Sequence, residues 1–475
     1  MVFTSLAFTM LIIIMAIAAA TFDKTREKFN VYNPNITTIQ QPVGLPGNVQ
    51  ISWEGVLNQA KGTTVNFFTC GGCPKYNNWI DGYLIPQLKT LYNINLVRKP
   101  IAGPTSIALQ LVEDQIAQKP GTSNVSVDLI WLNLENFARL RYPSAGGSSN
   151  AYGPWAMKIP SAGNFDFGGP SVYYDGGLPT AGYEFPYDGA QCVFIYNGNR
   201  ITSEGDLKLI HTIDGLKAWI MANPGRFTYA APATNAAGGT GDYTGSAFIR
   251  HVFYTVAAPY TDFLSSSDTT ALYNTRAPKF FQFLRDIEPF LYAAQSDSTF
   301  VGRFKNYPLN NTIVDTLFAR ESTYLTISYT PSYAADMVAK KAWDAAVVNP
   351  KAYVLTGGTL ANTNFVAIPA NSKNKLGAVV AANFLGSPQA NYYRALNLGA
   401  LPVYDLQAEA FTTGGWQVAF DTIDRSTRTP SAQQLAAGKL AELSPAYITK
   451  LQRDWYTCVR NYIHTNVTAN PKYCG

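Results

Sequence analysis

From Thr64 the chain alternates short apolar runs with stretches of helical period. The segment TVNFFTCGGCPKYNNWID, Thr64 to Asp81, reads as a strand at Val65 to Phe68, a turn at Gly71 and Gly72, and a helix opening at Asn77 to Trp79 that continues to 92. The two glycines allow a tight turn and a close backbone approach to a bound group, the arrangement with which open α/β sheets hold ligands; a plain strand-to-helix connection reads the same way. Strands at Asn95–Arg98 and Val127–Leu132 follow, with helices at Ser106–Gln118 and Leu134–Arg139, and Ile107, Leu111 and Ile116 stay near one helix face. Strands alternating with helices predict a parallel sheet. Residues 142 to 190 break this rhythm with Gly, Pro and Tyr. An apolar strand, Cys192 to Tyr196, then starts a second alternating region. It holds helix Asp214–Ala222, strand Arg226–Tyr229, helix Ala247–Val256, helix Pro278–Tyr292, helix Ile313–Arg320, strand Tyr324–Tyr329 and helix Ser332–Lys341. Strand Asn364–Ile368, the turn PANSKNK, helix Leu376–Leu385 and a helix from Ser444 complete the chain.

Two starts imply two lobes. The expected division is a signal segment at 1–20, a polar leader at 21–60 that ends in a helix-like piece around Trp53 to Ala60, lobe 1 from 61–190 with 355–395, and lobe 2 from 191–354 with 396–475. Composition adds the compartment: only 14% of residues are charged while Tyr (29), Phe (26) and Trp (8) are plentiful, the look of an exported protein. Leu6 to Ala20 is apolar and ends in small residues, so cleavage after Ala20 is expected, with an uncleaved anchor as the alternative because the preceding residues carry no Lys or Arg. Sequons at Asn35, Asn124, Asn310 and Asn466 agree with a secretory route and mark expected glycosylation sites. A net charge of +5 without a basic run argues against a nucleic-acid surface.

The five cysteines leave at least one unpaired within the chain. Cys458 and Cys474 are expected to staple the C-terminal tail, while Cys70 and Cys73 flank the Gly-Gly turn and read best as a small ring disulfide. A redox pair or half a metal site fits the same spacing. No second Cys or His pair exists to complete a metal site, since His211, His251 and His464 are scattered. Cys192, inside an apolar strand, reads as a small core residue. Gly238-Gly239-Thr240-Gly241 lacks both the Lys of a phosphate loop and dinucleotide spacing, so no cofactor is expected.

VNFFTCGGCPKYNNWID, VDLIWLNLENF (Val127–Phe137), GPW (Gly153–Trp155), YEFPYDGAQCVFIYN (Tyr183–Asn197), NPGRFTYAAPA (Asn223–Ala233) and FVAIPANSKNKLGAVVAANFLGSP (Phe365–Pro388) together resemble an extracellular, periplasmic solute-binding protein of ABC importers, closest to a little-characterised bacterial group. The resemblance runs in order from about Thr64 to Tyr462. It implies an α/β, two-lobed type II "Venus flytrap" fold with strands crossing between lobes that close on a small-molecule ligand in a cleft, acting as a monomer with a membrane permease as partner. Carried onto this chain, it implies ligand contacts from Thr69, Cys70, Gly71 and Gly72, from Asn133, Glu135 and Asn136, from Tyr187, Asp188 and Gln191, and from Ala233, Thr234, Ser328 and Tyr329, with Trp155 as a stacking platform. Cys70 stands where relatives typically have Trp, and the Cys458/Cys474 tail is extra. The rival reading is a secreted enzyme on the same fold, like thiaminase I, with Cys70 or Cys192 as nucleophile and Glu135, Glu184 or Asp188 as base. An oxidised Cys70 excludes the first of these.

Overall fold

A computed structural model describes residues 39–40 and 50–475, apart from 72–73, 102–104, 120–123, 133–134, 143–148, 168–169, 177, 233–242, 258–269, 294–306, 402, 405–407, 409–411, 413–414, 424–425 and 463–466. The chain forms two compact units, the first from residues 1–175, 179–189 and 363–423 and the second from 176–178, 190–362 and 424–475. Each has its own hydrophobic core. The unit limits at 189 and 362 fall inside the strands Glu184–Gln191 and Thr359–Ala367, so both strands carry the chain from one unit to the other. Residues 396–423 fold with the first unit. The signal segment at 1–20, Asn35, Cys73 and Asn466 lie outside the described residues. No helix among the described residues is long and apolar enough to cross a membrane.

The first unit is built on strand Thr64–Cys70, which buries Val65, Phe67 and Thr69 on alternate positions. It pairs in parallel with Asn95–Ile101 from Thr64 opposite Asn95 to Cys70 opposite Ile101, and with Leu129–Leu132 through Phe67 opposite Leu129. The expected parallel sheet is therefore present at its centre. Phe365 to Ala367 extends it antiparallel to Leu132, Trp131 and Ile130. The helix-like piece expected around Trp53 to Ala60 forms as helix Trp53–Ala60, capped by Ser52 accepting from Gly55 N at 3.1 Å, and buries Trp53, Val56 and Ala60. The helix Ser106–Ile116 turns the other way from the expected face: Ala108, Leu109 and Val112 are buried, whereas Ile107 and Ile116 are exposed. The spacing of 108, 109 and 112 makes a stripe as good as that of the larger side chains, and the small Ala108 permits close packing.

The second unit carries a three-stranded antiparallel sheet. Val193–Asn197 lies at its centre, with Leu325–Ser328 on one side (Leu325 opposite Tyr196) and Pro350–Tyr353 on the other (Pro350 opposite Asn197). The strand expected at Arg226–Tyr229 does not form. Those residues join no ladder, and two of their carbonyls are taken singly: Tyr324 N donates to Arg226 O at 2.8 Å and Tyr292 N to Phe227 O at 2.7 Å. Pro278, read as a helix start, sits inside the helix Thr270–Ile287. The Cys458–Cys474 disulfide forms with a Cα separation of 5.0 Å, and Arg285 Nη1 donates to the Cys458 and Cys474 carbonyls at 3.0 and 2.8 Å. Closing a 16-residue loop this way stabilises the fold by roughly 3 kcal/mol.

Candidate functional site

The turn that follows Thr64–Cys70 starts from a fixed geometry. Gly71 N donates to Ile101 O at 3.1 Å, and a Cβ on Gly71 would lie 2.5 Å from that oxygen, so glycine is required here by the neighbouring strand. Cys70 is disulfide-bonded, which removes it as a nucleophile. The helix beyond the turn begins at Pro74, three residues before the expected start, and runs to Trp79 before a π-type turn at Ile80–Leu84 and a further helix to Tyr92. Asn77 Nδ2 donates back to Gly71 O at 3.2 Å, tying helix to turn. Thr69 is fully buried, and its Oγ1 has no hydrogen-bond partner among the described residues. Gly72, Asn133 and Thr234 lie outside the described residues, as does Ala233. Glu135 opens helix Glu135–Arg141, and Asn136 is half-buried on it.

Tyr187 and Asp188, near the end of the first unit's share of strand Glu184–Gln191, meet side chains that the pattern of the sequence did not single out. Tyr76 donates its hydroxyl to that of Tyr187 at 2.6 Å. The buried Arg394 guanidinium lies 4.8 Å from the Tyr187 ring centre and 5.3 Å from that of Trp79. Its Nη2 donates to the Tyr187 and Leu385 carbonyls and to Asn391 Oδ1, while Nε and Nη1 have no hydrogen-bond partner among the described residues. Asp188 accepts from Gly189 N at 2.8 Å and from Asn364. Burial pushes its carboxyl up to about 6, against the pull of Arg394 and of these two donors. The signal for Arg394 was legible in principle: it shares the buried stripe of helix Pro388–Leu398 with Ala390, Asn391 and Ala395, where a charge needs a reason.

Trp155 is no platform. It is buried in the first unit's core, its ring 6.2 Å from that of Phe185. Glu184 is also fully buried, with neither carboxyl oxygen hydrogen-bonded among the described residues, and burial together with the nearby Asp175 raises its carboxyl well above the usual range.

In the second unit Gln191 is buried and donates through Nε2 to Thr359 Oγ1 at 3.2 Å and Gly438 O at 2.9 Å. Ser328 Oγ accepts from Thr330 N at 3.1 Å. Tyr329 is half-buried; its hydroxyl accepts from Arg250 Nη2 and donates to Glu442 Oε2 at 3.4 Å, while Arg250 Nε pairs with Glu442 Oε1 at 3.1 Å in a buried ion pair. The next residue, His251, is buried between helix and strand: Nδ1 faces Ala247 O at 2.7 Å and Nε2 accepts from Leu360 N at 3.0 Å. Burial pushes its imidazole down to about 3, so the ring is neutral. Cys192 is a free, fully buried thiol whose burial raises it far from thiolate range, a core residue and not a nucleophile. No group of three or more His, Cys, Asp or Glu among the described residues could hold a metal ion.

The profile of the bacterial extracellular solute-binding protein family matches residues 101–414. Protein YnjB of Escherichia coli (strain K12) is 29% identical over 343 residues, covering 72% of this chain and 79% of that protein. Among solved structures, an ABC transporter protein from Clostridium perfringens superposes with a TM-score of 0.52 at 14% identity, over 82% of this chain and 97% of its own. The spermidine/putrescine ABC transporter substrate-binding protein PotD from Streptococcus pneumoniae gives a TM-score of 0.54 at 12% identity, over 83% and 97%. At such identities these two establish the fold alone, the two-lobed periplasmic-binding-protein fold. The family match spans most of both units and its members are transport proteins, not enzymes; the chain belongs to the bacterial extracellular solute-binding proteins.

Proposed function

We propose that this chain captures a small polar solute outside the cytoplasm, as the substrate-binding component of an ABC-type transport system that hands its ligand to a membrane permease, or as a secreted derivative of such a component. The observation that carries the reading is the family match over residues 101–414, a span that includes Asn133, Asn136, Tyr187, Asp188, Gln191, Thr234, Ser328 and Tyr329. The local chemistry supports it. Thr69 Oγ1 has hydrogen-bonding capacity that no described residue uses, and an unused buried hydroxyl costs about 1–3 kcal/mol unless something else meets it. Tyr187, Asp188, Ser328 and Tyr329 add hydroxyl and carboxylate groups suited to a polar ligand. PotD-like relatives of the fold make polyamines one class worth testing, and sugars and thiamine analogues are others.

A thermal-shift screen of the chain against polyamines, mono- and oligosaccharides, thiamine analogues and chelated metals, with mass analysis of every mixture, tests the reading. A ligand that raises the midpoint with concentration and leaves unaltered is the expected result, since stabilisation by binding follows mass action. A ligand that leaves chemically changed would sink the reading in favour of an enzyme.

A further inference from the structure

Among the described residues, Asp188 is a buried carboxylate without a contact cation. It receives two hydrogen bonds there, from Gly189 N and Asn364, where an ionised carboxylate can accept about four. The described guanidinium in electrostatic reach, Arg394, does not touch it: Nη2 is spent on two carbonyls and on Asn391, and the group lies 5.3 and 4.8 Å from the Trp79 and Tyr187 ring centres. Arg394 thus offsets part of the charge and leaves the oxygens open. Buried carboxylates are otherwise paired or neutral. Trp79 and Tyr187 show that the surroundings already accept one cation on aromatic faces.

We propose that Asp188 is the anchor for a positively charged nitrogen of the solute, so that the ligand class of this protein is organic ammonium compounds. This rests on the solute-binding reading above and narrows it. An ammonium group would supply the donors that the free carboxylate lacks, and a contact ion pair in a partly dry site is stronger than one in water. Binding then favours the ionised acid, and protonation competes with the ligand. Affinity should fall about tenfold per pH unit once the pH drops below the range in which free Asp188 is ionised. Tyr76, Tyr187 and Arg394 are the other titratable groups facing Asp188, and burial raises both tyrosines, so they keep their protons across this interval.

The test works whatever the natural ligand is. Methylammonium chloride is the probe, sodium chloride at equal ionic strength the control, and the readouts are the unfolding midpoint and the carbon-13 titration of the Asp188 carboxyl in the full chain. The expected result is a midpoint raised by methylammonium alone, an Asp188 titration displaced to lower pH by the probe, and loss of the probe's effect on the midpoint in Asp188→Asn. Equal effects of the two salts on the titration would overturn the proposal, and so would an unchanged response in Asp188→Asn. Should that variant fail to fold, the comparison of salts in the unsubstituted chain decides alone. Putrescine, a neutral disaccharide and succinate form the second arm. Stabilisation by the sugar or by succinate, with none by putrescine, overturns the ammonium class and leaves the solute-binding reading standing; alteration of any of them by the protein sinks that reading instead.

Discussion

Single residues in this protein carry opposite lessons about what an unusual amino acid means. Gly71 invites a ligand interpretation, but the oxygen 2.5 Å from its would-be Cβ belongs to the neighbouring strand. Gly71→Ala should therefore destabilise the first unit by about 1–3 kcal/mol, the usual cost of forcing atoms into a filled space, read as a lower denaturant midpoint. Asp188 is the reverse case. Its carboxyl titrates near 6 in the folded chain against 3.8 for the free side chain, so the native state holds the proton more firmly than the unfolded one. The stability associated with that proton is present below about pH 4 and is lost as the pH rises through about 6. Asp188→Asn removes the titration. Relative to that variant, the unsubstituted chain should lose stability between pH 4 and pH 6, by an amount on the order of 3 kcal/mol, in urea unfolding at each pH. A flat difference across that interval would contradict the buried, unpaired placement of the acid.

At the scale of elements, strands with a period of two were legible and helix faces less so. Val65 and Phe67 alternate with half-exposed neighbours, and the strand formed where the pattern put it. In Ser106–Ile116 the large residues misled, because size does not choose the face when Ala108 and Leu109 pack as well. Arg226–Tyr229 was illegible for another reason: an apolar extended run becomes a strand only if a partner supplies a ladder, and partners are set by tertiary structure. The turn PANSKNK was visible, its cause was not. It folds around Asp128, whose buried carboxylate accepts from Asn66 N at 3.0 Å, Ser126 Oγ at 2.8 Å, Ser372 Oγ at 2.9 Å, and Lys373 N and Asn374 N at 3.2 Å. Removing a hub of this kind strands its donors, so Asp128→Ala should cost about 3–5 kcal/mol and loosen Ser372–Asn374 in hydrogen exchange. Of the candidate site, the positions on strands and turns could be read from the sequence. Arg394 left a trace as a charge on the buried stripe of its helix, but which groups it, Tyr76 and Trp79 meet in one unit, and Arg250 and Glu442 in the other, could not be read, because the partners lie up to hundreds of residues away and only the fold brings them in.

For the molecule as a whole, the two units answer acid in opposite directions at these buried groups. Asp188 favours the folded first unit as pH falls. His251 works against the second: its imidazole is held neutral down to about 3 when folded but takes a proton near 6.5 when unfolded, so the unfolded state binds more protons in between. The stability it contributes is present above pH 6.5 and lost as the pH falls toward 3. The geometry agrees with the sign, since a ring that accepts from Leu360 N through Nε2 cannot carry a proton there without breaking the bond between helix Tyr243–Val256 and strand Thr359–Ala367. Native-state hydrogen exchange, which reports on each segment separately, can resolve the two effects. Between pH 6.5 and pH 4.5, amides of Val193–Asn197 and Tyr243–Val256 should lose protection in the unsubstituted chain relative to His251→Gln, whose neutral side chain does not titrate. Amides of Thr64–Cys70 should gain protection over the same interval relative to Asp188→Asn. Matching slopes in the two units would mean that one of the two groups is solvated, and the sign of the common slope would say which.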